Sequence, residues 1–169
     1  MAAAPFCRRV VAVDVSPAML ASLRTETERL RLRNIECVEA GFLTYRHTGE
    51  PVDFVYSRHA LHQLPDFWKA VALARMHAIL KPGGVLRLRD LIFSFDVSEA
   101  HSAIEAWLSG ASKRPEDGWT RTELEAHLRE EYSTFSWVLE PMMERAGFEI
   151  RQAEYDGSQI YAAYVCVSH

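Results

Sequence analysis

The stretch VVAVDVSPAML, Val10 to Leu20, decides the reading of this chain. Arg8 to Val15 is a β-branched run without polar alternation, as expected of a strand covered on both faces of a parallel sheet. Ser16 and Pro17 follow as a helix N-cap and a proline at the first helical position. An acid, Asp14, stands between strand and helix. A strand, an acidic tip and a capped helix form the second half of a nucleotide-binding βαβ unit. Only nine residues precede Val10, too few for the strand, loop and helix of a first half, which need about 30 residues.

Outward from this stretch the chain alternates. Leu20, Leu23, Thr27 and Leu30 recur at helical spacing, and Asn34 ends the helix. Ile35 to Ala40 is a second strand, 41–51 a polar loop, and Val52 to Ser57 a third strand. Asp66 to Leu80 is a helix apolar nearly all round. LKPGGV (Leu80–Val85) stops it and turns the chain into a fourth strand, Val85 to Phe95. Helical segments follow near 97–111 and 120–131, then a helix over 136–148 with Pro141 near its start and Gly147 as its C-cap. EIRQAEY and IYAAYVCV close the chain as a hairpin that adds an antiparallel edge strand. The fold class is therefore α/β: a doubly wound, Rossmann-like, mostly parallel sheet in one domain, 1–169, with a helical insert at about 97–132.

Composition narrows the function. The 169 residues are 49% hydrophobic and 25% charged, with a formal net charge of -4. That balance gives no general affinity for nucleic acid or a membrane surface. No apolar run is long enough to span a bilayer, and the N-terminus lacks signal-peptide features. Three widely spaced cysteines suit a reduced, cytoplasmic protein, with Cys37 and Cys166 as core filling.

In open α/β sheets ligands bind beyond the carboxyl ends of the strands. That rule selects Asp14 and Val15, then 40–43, the loop SRHALHQLPDF (Ser57–Phe67), and 89–92. Asp14 can accept hydrogen bonds from a ribose diol, or simply favour the helix N-terminus. His59 and His62 are candidate bases, because histidine titrates near neutrality. Against this, His62 can cap the next helix or pack beneath Trp68. The sequence places no third ligand beside the two histidines, so no metal site is expected. Arg87 and Arg89 alternate with Leu86 and Leu88 on the fourth strand; Arg89 and Asp90 either line a substrate pocket, or the arginine charge pairs with Glu130 or Glu131. Tyr132, Phe135 and Trp137 read as core.

VVAVDVSPAML, VDFVYSRHALHQLPDFWKAV and LARMHAILKPGGVLRLRD, in this order, resemble the class I S-adenosylmethionine-dependent methyltransferases. MMERAGFEI then falls where such enzymes place their last helix and sixth strand. The resemblance covers about residues 8–95 and 136–168. It implies a seven-stranded sheet with an antiparallel last strand, S-adenosylmethionine as cofactor, and methyl transfer. By position, Asp14 resembles the ribose-binding acid, and Val15 and Met19 flank the adenine. The acid that usually meets the adenine amino group falls on Gly41, leaving the Phe42 amide and ring for that contact. Ser57 and Arg58 match the strand end beneath the methionine part. His62 matches the first of a frequent His-His pair whose second member here is Gln63.

The departure is the glycine motif. None of the eight glycines forms G-x-G. Such enzymes place the corresponding strand between 10–15 and 52–57. The resemblance therefore implies that the first strand is missing from a truncated chain, that 10–15 and 52–57 pair directly, or that a partner chain fills the gap. It also implies weak or no catalysis by these 169 residues alone. The expected substrate is a small molecule; a homo-oligomer is compatible with this reading. The alternatives are a methyltransferase-like binding or scaffold subunit without activity, and a nicotinamide-dependent oxidoreductase, since Asp14 also suits a dinucleotide ribose.

Overall fold

The computed structural model describes residues 3–169. They form two compact units, Met1–Thr48 and Gly49–His169.

The first unit is a single βαβ element. β1 (Val10–Asp14) and β2 (Ile35–Glu39) are parallel, in register from Val10↔Ile35 to Asp14↔Glu39. α1 (Pro17–Arg29) connects them, as a parallel pair requires. Ser16 caps this helix as expected: its hydroxyl accepts from Met19 N at 3.3 Å. Leu20 and Thr27 are its buried residues, whereas Leu30 is exposed. The helix ends before Asn34, with Arg31 in the left-handed region at φ 55°. Asn34 has another task. Its amide donates to the carbonyls of Ala4 and Cys7, both at 2.8 Å, and ties down the chain entering β1.

The second unit is a mixed sheet with helices. β3 (Val52–Arg58) leads to α2 (Asp66–Ile79) and β4 (Leu80–Phe93). α3 (Ala100–Ser109) and α4 (Arg121–Glu130) form the helical segment after β4. A two-residue β5 (Thr134–Phe135), α5 (Ser136–Arg145), β6 (Phe148–Tyr155) and β7 (Tyr161–Ser168) complete the chain. The strand order is β3-β4-β7-β6, with β5 beside β4. β3 and β5 run parallel to β4, and β7 is antiparallel to both β4 and β6. The α/β class and the antiparallel C-terminal hairpin are as the sequence implies. Within the hairpin the edge is β6, because β7 inserts between β4 and β6. The ladder partner of β1 is β2, and that of β3 is β4.

The core of this unit follows from cross-strand register. Leu86 faces Cys166 and Leu88 faces Tyr164, and all four are buried. Cys166 Sγ lies 3.9 Å from Met143 Sδ of α5, and burial pushes its thiol pKa up to about 12, as suits a packing residue. Three local expectations change. α2 is buried on one side only, through Lys69, Ala72, Leu73 and Met76, with Phe67 and Trp68 exposed. LKPGGV is a bulge within β4 instead of a separate turn. Val52 pairs with Leu80 and Phe54 with Val85, so the intervening residues loop out, with Gly83 at φ 77°. Pro141 stands inside α5, not near its start. Gly147 does end that helix, at φ 100°, and a Cβ there would lie 2.6 Å from His77 Nε2.

Candidate functional site

In the first unit the carboxyl ends of β1 and β2 carry the residues singled out by sequence. Asp14 is the last residue of β1 and half-buried. Its Oδ1 accepts from Ser16 N at 2.8 Å, and its second oxygen has no hydrogen-bond partner among the described residues. The carboxylate is therefore oriented by its own turn and still has acceptor capacity. Val15 and Met19 stand beside it in sequence, 71% and 61% exposed. Gly41 follows β2. A Cβ there would lie 2.9 Å from Val15 Cγ1, so the absence of a side chain permits this close approach. Phe42 is half-buried in the turn held by the Gly41 N–H, which donates to Thr44 Oγ1 at 2.9 Å.

In the second unit the loop after β3 is anchored by one acid. Asp90 of β4 is 1% exposed. Its Oδ2 accepts from Ala60 N at 3.2 Å and Leu61 N at 2.7 Å. Its Oδ1 accepts from Leu91 N at 2.9 Å and from the Nδ1 side of His62. Four donors on one buried carboxylate fix the loop backbone and the His62 ring together. Arg89 points the opposite way on the strand, to solvent, and makes no ion pair with Glu130 or Glu131 among the described residues. Glu131 meets His62 and His127 in place of the expected arginine, and Asp90 also meets His62.

The two histidines differ sharply. His59 is exposed, with φ 49°, and its ring lies 5.8 Å from that of Tyr161. Partial burial holds its pKa below the usual histidine value. His62 is buried, and both ring nitrogens are engaged: Nδ1 by Asp90, Nε2 by Glu131 at 2.9 Å and by the Gln63 amide at 3.0 Å. Its ring neighbour is His127, 5.1 Å away, not Trp68. Ser57, also buried, leaves its Oγ without a partner among the described residues. Arg58 is exposed at the end of β3. Among the aromatic residues expected in the core, Tyr132 and Trp137 are exposed, and Phe135 stacks on Trp137 at 5.4 Å.

Sequence reasoning missed His127 as part of this neighbourhood. Its pairing with Glu131 at an i, i+4 spacing on α4 was the available signal.

A family model described as a methyltransferase domain matches residues 1–84, which include both the Asp14 turn and the His59–His62 loop. The chain belongs to the class I S-adenosylmethionine-dependent methyltransferases. An uncharacterized methyltransferase of Anoxybacillus flavithermus is 27% identical over 125 residues, covering 74% of this chain and 54% of that protein. The chain spans 38%, 54% and 50% of the lengths of three such bacterial methyltransferases, from under two fifths to just over half. The N-methyltransferase NodS of Bradyrhizobium japonicum, solved with S-adenosyl-L-homocysteine, superposes with a TM-score of 0.64 at 15% identity, covering 97% of this chain and 68% of that one. The [4+2]-cyclase SpnF superposes with a TM-score of 0.67 at 12% identity, covering 95% and 66%. These structures establish the fold, and the cyclase shows that the fold hosts more than one chemistry.

Proposed function

We propose that this chain binds S-adenosylmethionine and serves methyl transfer to a small-molecule acceptor. The observation that carries the reading is the Asp14 turn, within the stretch matched by the family: a carboxylate at a strand end, held by Ser16 N, with an oxygen still uncommitted. The residues present suit the cofactor at two further points. Ser57 Oγ is a buried hydroxyl lacking a partner among the described residues, and Gly41 presents backbone where a Cβ would meet Val15.

In this reading Asp14 accepts hydrogen bonds from the ribose hydroxyls. Val15 and Met19 offer apolar contact to the adenine, and the Phe42 amide and ring take the place of an acidic side chain beside Gly41. Ser57 and Arg58 serve the methionine part, with hydroxyl and guanidinium as donors. The bound cofactor supplies an electrophilic methyl group on a sulfonium. The protein's task is then to place a nucleophile in line and to handle its proton. His59 is the better placed base: it is exposed, and its lowered pKa keeps a neutral imidazole at neutral pH. His62 is a positioning residue, since Asp90 holds both its ring and the backbone at 60–61. The net charge of -4 and the helices at 97–132 favour a small acceptor over nucleic acid. The two units serve one methyltransferase domain, and a cytoplasmic setting agrees with the free thiols of Cys7, Cys37 and Cys166.

Calorimetric titrations with S-adenosylmethionine and with NAD test the reading side by side. Saturable heat with the first and none with the second is expected. The reverse pattern, or no response to S-adenosylmethionine at about 1 mM, a threshold corresponding to roughly 4 kcal/mol of binding, removes it.

A further inference from the structure

We infer that His62, His127 and Glu131 form a binding site for a divalent transition-metal ion of the zinc type, distinct from the cofactor reading above. One ligand atom from each lies within 4.8 Å of the others. His62 Nε2 is 2.9 Å from Glu131 Oε2, and His127 Nδ1 also touches that oxygen. For donors about 2.0–2.1 Å from a tetrahedral zinc, neighbouring ligand atoms stand about 3.3 Å apart. Shifts on the order of 1 Å in these side chains bring the three atoms to that spacing and open the cluster to the ion.

The outer bonds orient the rings for this purpose. A carboxylate only accepts, so the His62 proton sits on Nδ1, facing Asp90, and Nε2 presents its lone pair to the cluster. The Gln63 amide at 3.0 Å is the only other group hydrogen-bonded to that nitrogen among the described residues, and it can turn away because Gln63 is exposed. His127 Nε2 meets Ser133 Oγ at 2.9 Å. With that nitrogen donating to the hydroxyl, Nδ1 turns its lone pair inward. A histidine ligand held through its second nitrogen by a carboxylate or hydroxyl is the usual outer support of a metal site.

Charge and hydrogen bonding point the same way. Asp90 is satisfied by its four donors, but Glu131 brings a second carboxylate to the two imidazoles, and a buried anion without compensation is costly. Glu131 Oε2 makes no well-formed hydrogen bond among the described residues, despite its two imidazole neighbours. A shared cation accounts for three ligand atoms converging with two lone pairs and an acceptor facing one another.

The frame is fixed from both sides. His127 and Glu131 share one face of the last turn of α4, where Glu131 N donates to His127 O at 3.0 Å. Tyr132 N donates to His62 O at 2.8 Å, and buried Lys69 donates to the Tyr132 carbonyl and to Asp66 Oδ1. Two histidines and one carboxylate suit zinc, iron, nickel or copper better than magnesium or calcium, and leave a coordination position for water. The ion would clamp α4 onto the loop 59–63.

Zinc alone is the probe. Chelator-stripped protein is titrated with zinc chloride by calorimetry, and with cobalt chloride by visible absorption. One zinc per chain with Kd below about 1 μM is expected, with the visible bands of a low-coordinate cobalt site and a higher Tm in zinc. His127→Gln and Glu131→Gln should each weaken zinc by about 100-fold or more, and Ser133→Ala by about 10-fold. Circular dichroism confirms that each variant is folded. Glu131→Gln is the less disruptive, because Glu131 is partly exposed. The proposal is overturned if the unmodified chain shows no saturable zinc binding, which leaves a network held by protons. It is also overturned if folded variants bind as tightly as the parent, which assigns the ion to surface histidines such as His101 or His169.

Discussion

Asp14 and Asp90 are two acids near the carboxyl ends of parallel strands, and the structure uses them in opposite ways. Asp14 accepts one hydrogen bond, from a backbone amide two residues away, and keeps an oxygen uncommitted. Asp90 accepts four, from residues up to 30 positions distant, and is 1% exposed. An acid at a strand end is available to a ligand only where the local turn leaves its acceptor capacity unfilled. Where a loop folds back over it, the same residue type becomes the loop's anchor.

That contrast can be broken by mutation. Asp90→Ala strands buried donors and an imidazole, and should cost about 3–5 kcal/mol of unfolding free energy in urea. Asp14→Ala should cost about 1 kcal/mol or less, because it releases one exposed-side bond. Equal losses would erase the distinction between anchor and ligand acid. The two helix ends give a second, smaller contrast. Gly147→Ala combines a positive φ with a Cβ 2.6 Å from His77 Nε2, and should cost about 1–3 kcal/mol. Ser16→Ala removes only the cap on Met19 N and should cost about 1 kcal/mol. Both are read from shifts in denaturant midpoint.

The histidines sharpen the same division without any mutation. His59 should titrate below 6.5 in a proton NMR series, because burial disfavours its charged form. With the folded value depressed, any stability it contributes is present above the unfolded value and lost as pH falls through the folded one. A midpoint above 6.5 would show a carboxylate dominating its surroundings and remove the argument for a neutral base at position 59.

Much of this was legible in the sequence because it is local. The Asp14–Ser16–Pro17 turn needs only adjacent residues, and it folds as read. So do the five helices and the C-terminal hairpin, whose signals are periodicity, caps and a polar turn. What stayed hidden depends on distant pairs. His62 and His127 are 65 positions apart, and nothing in their separate surroundings announces that Glu131 and Asp90 will meet them. Asn34 read as a helix stop because asparagine tolerates the left-handed region, yet Arg31 takes that conformation and Asn34 binds the segment before β1. Trp137 read as core from its composition, but it lies 61% exposed, stacked on Phe135.

The central claim is that ligand recognition belongs to the Asp14 turn and loop architecture to the buried Asp90–His62 cluster. Calorimetric titration of S-adenosylmethionine into the parent protein, Asp14→Asn and His127→Gln tests it directly. The account predicts that Asp14→Asn weakens binding by about 10- to 100-fold, the equivalent of losing one or two charge-assisted hydrogen bonds. It also predicts an unchanged unfolding midpoint for that variant, and an affinity within about 2-fold of the parent for folded His127→Gln, which is about 0.4 kcal/mol. Unaltered affinity in Asp14→Asn, or a larger loss in His127→Gln than in Asp14→Asn, would contradict it.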